Sequence, residues 1–183
     1  MRLYEHILKL QFVRLIELNS NGVPLKRQKN NTMKELDRST VESSDMVEHT
    51  FKFWFNDNEH IRSPFPDYIQ PQLKKDATDL FFNWTKKLDN KAKEELNDES
   101  IGEKFEEIIF ETATKLIKTE DERITIFYPF LPRLNDKFED EANGDSLIID
   151  RQLKKEVDNN FLLIKLERIE SKDKWDTQIE VPL

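Results

Sequence analysis

The chain has 183 residues, a net charge of −8 and no cysteine. This excludes disulfides, thiol nucleophiles and thiolate metal sites, and it weighs against non-specific nucleic-acid binding, which depends on neutralising phosphates. A hydrophobic fraction of 37% with 13 Phe and 3 Trp is enough for a core without metal or disulfide staples, so one α+β domain over 1–183 is expected. No apolar run approaches the roughly 20 residues needed to cross a bilayer, and Glu5, Lys9 and Arg14 interrupt the N-terminal apolar stretch where a secretory leader stays uncharged. A cytoplasmic protein without membrane contact is the expectation.

Residues 7–18, ILKLQFVRLIEL, alternate with Leu8, Leu10, Phe12, Ile16 and Leu18 on one side, which predicts a strand, with a helix as the alternative because Leu8, Phe12 and Leu15 also recur at helical spacing. A long polar loop follows at about 19–47, basic at Lys26, Arg27 and Lys29; it is a candidate partner-binding flap and the one weak opening for nucleic acid. HTFKFWF, residues 49–55, sets Phe51, Phe53 and Phe55 on one side and reads as an aromatic strand.

The next segment, NDNEHIRSPFPDYIQP, gathers Asp57, Glu59, His60 and Asp67 before a helix can begin at Pro71. Leu73, Ala77, Leu80, Phe81, Trp84 and Leu88 then share a face, predicting a helix over 71–96. Ser100 and Glu103 have capping-box spacing ahead of Ile101, Phe105, Ile108, Ile109 and Leu116. The short connection makes a helical hairpin at about 71–118.

RITIFYPF, residues 123–130, reads as a strand closed by prolines, SLIIDRQL and FLLIKLERIE as a β-hairpin, and Ile179–Val181 as a last short strand. The expected fold is α+β: a mostly antiparallel sheet of about five to six strands packed against the helical hairpin.

With three glycines the chain has no GxSxG, GxxxxGK[ST] or GxGxxG, and no HExxH, so those hydrolase, phosphate-loop and zinc chemistries drop out. A nuclease-like order of acid, then acid-x-Lys, fails because Leu163 stands two residues before Lys165. Oxygen ligands for a hard metal could come from Asp57, Glu59 and Asp67, with His60 as a base near neutrality; a polar strand-to-helix crossing would hold the same residues.

On helical wheels Phe82 falls among Lys75, Asp79 and Lys86, and Phe110 and Ile117 fall between Glu103, Glu106 and Glu107. Either another segment folds over them, or they are the apolar centre of a partner surface with a charged rim. The expected function is a non-enzymatic interaction module, an adaptor, inhibitor or immunity-like subunit of a larger assembly. It docks another protein or a second copy through the acidic hairpin, with no cofactor. The alternative is a metal-dependent hydrolase or nuclease using Asp57, Glu59, His60 and Asp67.

Overall fold

The computed structural model describes residues 38–58, 61–140, 144–156 and 159–181. The strand expected at 7–18 and the basic residues Lys26, Arg27 and Lys29 lie outside that range, as do Glu59 and His60.

The first element corrects a sequence expectation. Residues 49–55 are not a strand but the end of helix α1, Val41–Phe55, so the polar loop also stops short of residue 47. Thr40 caps it, its hydroxyl accepting the Ser43 amide at 3.3 Å. Val47, Phe51 and Trp54 are buried at helical spacing, and Phe51 packs on Phe55 one turn later at a ring separation of 5.0 Å. Tertiary burial of that face outweighs the β-propensity of the aromatics.

Helix α2, Gln70–Lys87, begins with proline in its first turn and buries Leu73, Ala77 and Phe81. It does not run to residue 96: Leu88 leaves the helix, and the Asp89 side chain accepts the Ala92 amide at 2.7 Å to start a separate short helix, α3, Asn90–Glu95. In helix α4, Asp98–Leu116, the capping box is formed one turn before the expected pair, by Asn97 and Ser100: Asn97 Oδ1 accepts the Ser100 amide at 2.8 Å, and Ser100 Oγ accepts the Asn97 amide at 3.1 Å. Helices α2 and α4 pack together as the hairpin, with the Phe81 and Phe105 rings 4.7 Å apart.

Residues 123–130 are also not a strand. Helix α5, Glu120–Phe127, is started by a Thr119–Glu122 capping box, with Glu120, Asp121 and Glu122 in its first turn. Its two sides belong to different interiors. Ile126 joins the helical core with Phe51, Trp54, Leu73 and Phe105, whereas Ile124 joins Ile148, Leu162, Ile164 and Leu166 beneath the sheet.

The sheet has four antiparallel strands rather than five to six: β1, Lys137–Phe138; β2, Ser146–Lys155; β3, Asn160–Arg168; β4, Lys174–Val181, in that spatial order. The β2–β3 hairpin is where the sequence puts it, and β4 begins five residues before the expected Ile179. Register sets Arg151, Ile164 and Thr177 side by side, so Ile148, Leu162, Ile164, Leu166 and Val181 share the inner face. A register shift lies between Ile148 and Asp150. The hairpin does not lie across this sheet. Among the described residues the sheet closes on α5 and on the loop that carries Leu131.

No helix among the described residues is long and apolar enough to cross a membrane.

Candidate functional site

The crossing from α1 to α2 lines an open cleft of about 660 Å³ facing the start of α5 and the loop after it, with Asp57, Ser63, Asp67, Asp121, Glu122 and Arg133 on its walls. Two residues expected to form a site, Asp57 and Asp67, are therefore brought to one place. Each carboxylate there also has a local task. Asp57 Oδ1 accepts the Ser63 amide at 2.9 Å, shaping the turn, and Asp67 Oδ1 accepts from the Gln70 amide side chain at 3.3 Å. Glu122 accepts from the Tyr68 hydroxyl at 2.9 Å and from the amides of Lys118 and Thr119 at 2.8 and 3.0 Å. Desolvation works against its ionisation, but these donors hold its pKa below the ordinary value.

Arginines tie the cleft together. Arg62 makes a two-pronged bond to Asp136, Nη1 at 2.9 Å and Nη2 at 2.5 Å. Arg133 donates from Nη1 to the Ser63 carbonyl at 2.8 Å and from Nη2 to the Arg62 carbonyl at 2.7 Å, while its buried Nε meets no hydrogen-bond partner among the described residues. Burial, then repulsion from Arg62 and Arg151, lowers the Arg133 pKa. The Arg151 side chain is wholly buried and ion-paired with Asp121; it also donates to Thr125 Oγ1 and, at 2.6 Å, to the Pro132 carbonyl. Among the described residues no group of three or more His, Asp or Glu is arranged to hold a metal ion.

The hairpin residues expected at a partner surface are mostly interior. Phe82 is 4% exposed and packs on Phe81 at 5.3 Å. Phe110 is half-buried, with its ring 4.9 Å from Trp54 and 5.1 Å from Phe65, and Ile117 is half-buried against the same core. Glu106 is 5% exposed and accepts from Trp54 Nε1 at 2.9 Å. Burial pushes its pKa up to about 7, against the Trp54 hydrogen bond and with help from Glu103.

The corrections on α4, at Glu106, Phe110 and Ile117, have one cause: the helix is covered on more than one side, so its wheel has no single polar half. Gly102, Glu106, Ile109 and Ala113 form a buried row at i, i+4, i+7 and i+11, a signal the sequence carries. Exposed on α4, besides Asp98, is a different row, Glu99, Glu103, Glu107 and Glu111, spaced four residues apart and followed by Lys115. Lys104 pairs with Glu107 at 2.8 Å.

On the outer sheet face Asp150, Lys165 and Asp176 stand side by side across β2, β3 and β4. This alternation of charge suits a solvated sheet face.

No protein-family model, curated protein or solved structure matches the chain.

Proposed function

We propose that this protein is a non-enzymatic interaction module, an adaptor, inhibitor or immunity-like subunit, that docks a basic surface of another protein along the exposed face of α4. The observation that carries the reading is the run Glu99, Glu103, Glu107 and Glu111, which puts like charges at three successive i,i+4 spacings on an exposed helix face. Each such pair destabilises a helix by about 0.2–0.5 kcal/mol, and none of the four side chains is buried in the core. Lys104 beside Glu107, Lys115 four residues after Glu111 and the first-turn position of Glu99 offset part of this repulsion; the exposed excess of acid that remains suits a cationic partner, whose approach the summed field steers. With the aromatics turned inward, charge rather than an apolar anchor carries recognition, so binding weakens steeply as salt rises.

The test is a pull-down of the native protein with mass spectrometry of what it retains, repeated with a Glu103→Lys/Glu107→Lys variant. A defined basic partner, held by the wild type at low salt and lost by the variant, is the expected result. A variant that retains the same partner overturns the reading.

A second reading, a metal-dependent hydrolase or nuclease, is favoured by the shared cleft of Asp57 and Asp67. It predicts that Mg²⁺ or Mn²⁺ raises the melting temperature and that Asp57→Asn abolishes the rise.

A further inference from the structure

Strand β4 closes one side of the sheet. It pairs with β3 along its whole length, from Asn160↔Val181 to Glu167↔Lys174. On its other side no strand lies among the described residues, so alternate residues present N–H and C=O groups outward that no described strand pairs.

We propose that this edge is a self-association surface, and that two copies of the chain pair β4 against β4 antiparallel, centred on Thr177, into one eight-stranded sheet. The proposal is independent of docking on α4.

The sequence of the strand selects the partner. In a two-fold antiparallel pair that continues the sheet, residues opposite each other share a face, so the axis must pass through a residue paired with its own copy. Centring on Thr177 sets Lys174 opposite Glu180 twice, Trp175 opposite Ile179 twice, Asp176 opposite Gln178 twice, and Thr177 opposite itself. Opposite charges, an aromatic with a β-branched residue, and Thr with Thr are all favourable cross-strand pairs.

Neighbouring centres lack this match. Centring on Gln178 sets Asp176 opposite Glu180 on both sides of the axis, and centring on Asp176 opposes the two aspartates. Centres on Trp175 or Ile179 oppose no like charges, but they pair only three and five residues of the strand, against seven for Thr177, so the Thr177 register joins charge match to the longest ribbon.

The burial pattern agrees. Lys174, Asp176, Gln178 and Glu180 are exposed on the outer face, where the Lys–Glu pairs would form. Trp175 and Ile179 are half-buried against the core beneath the sheet; Trp175 is held within its own chain by Phe138, 5.9 Å away, and by donating from Nε1 to Ser146 Oγ at 3.0 Å, so Ile179 is the side chain that would extend that core towards the axis. Lys174 lies 3.9 Å from Glu167 of its own chain and keeps a 60% exposed side chain, so it is available to a second carboxylate.

The experiment uses two single variants of the full chain, Lys174→Glu and Glu180→Lys, in sedimentation-velocity runs at rising concentration. The wild type is expected to pass from monomer to dimer. Each variant alone opposes like charges at both ends of the ribbon and should dimerise on the order of tenfold more weakly. In an equimolar mixture, one copy of each variant sets opposite charges against each other at both ends again, and dimer should be recovered as a mixed species. Circular dichroism melts establish that both variants fold.

A wild type that stays monomeric overturns the proposal, and this includes the case where the chain's own residues 7–18 occupy the edge. Variants that dimerise like the wild type, or a mixture that recovers nothing, overturn it equally.

Discussion

The indole Nε1 of Trp54 donates to Glu106 across 2.9 Å, joining α1 to α4 where the carboxyl is 5% exposed. Burial raises the folded pKa from 4.5 to about 7, so the folded state holds its proton more tightly than the unfolded chain does. Below the unfolded value both states are protonated and nothing is lost; as pH rises from there to about 7 the unfolded state ionises first and stability falls, levelling off above. At 1.36 kcal/mol per pKa unit the full drop is about 3 kcal/mol.

Glu106→Gln keeps an acceptor for Trp54 and removes the titration. Urea denaturation should find the variant more stable than wild type by about 2 kcal/mol near pH 8, with a flatter profile between mildly acidic and neutral pH. An unchanged wild-type slope in the variant would assign the titration to another group.

Opposite outcomes are expected for two substitutions on the hairpin. Phe82→Asp places a charge where the native side chain is 4% exposed, and should cost about 3 kcal/mol or more, seen as a large fall in melting temperature. Glu103→Lys changes an exposed residue and converts two like-charge i,i+4 spacings into Glu–Lys pairs; the melting temperature should hold or rise slightly, although partner binding falls. A folded Phe82→Asp protein with native stability would return that side chain to the surface.

Arg151 and Asp121 should respond unequally. The guanidinium is wholly buried and Asp121 is 31% exposed, so truncating each leaves a different remnant. Asp121→Ala strands a buried cation and should cost about 3 kcal/mol or more, whereas Arg151→Met leaves a partly hydrated carboxylate and an apolar side chain beside Thr125, and should cost less. Equilibrium denaturation of the two variants gives the order directly; the reverse order would mean that the carboxylate, not the guanidinium, depends on the pair.

At low pH the cleft governs stability with the opposite sign to Glu106. Asp136 is partly desolvated, but the Arg62 hydrogen bonds and the Arg133 amide lower its pKa below 3.8. Its stabilising contribution is therefore complete above that unfolded value and is lost as pH falls through the folded one. Asp136→Asn should shift the midpoint of acid unfolding to higher pH, read by Trp fluorescence, while leaving the slope at neutral pH to Glu106.

What the sequence disclosed depended on how many sides of each element are buried. The deepest positions of α2 and the β2–β3 hairpin were legible because Leu73, Ala77 and Phe81, or Leu162, Ile164 and Leu166, repeat at one clean period, but the edges of the α2 face were not: Leu80 is exposed and Phe82 is buried. HTFKFWF misled because the aromatics of α1 crowd into its last five residues, so Phe51, Phe53 and Phe55 imitate alternation while Val47, Phe51 and Trp54 carry the helical burial. In α5 both Ile124 and Ile126 are buried in different clusters, which erases the 3.6-residue period over only two turns; the Thr119–Glu122 spacing was the surviving signal. The candidate site was half legible. Asp57 and Asp67 do share a cleft, but Asp121, Glu122 and Arg133 reach it from distant sequence, where only the fold can bring them.

Helix α5 has a further bearing on folding. The sheet is closed by pairing between successive strands, whereas the helical interior joins residues far apart in the chain, such as Trp54 and Glu106, and the two have this eight-residue helix as a common wall. Cooperativity of the molecule thus passes through Ile124 and Ile126. Weakening either would let one half loosen ahead of the other, and the slowest-exchanging amides of the two halves would cease to report a single opening free energy.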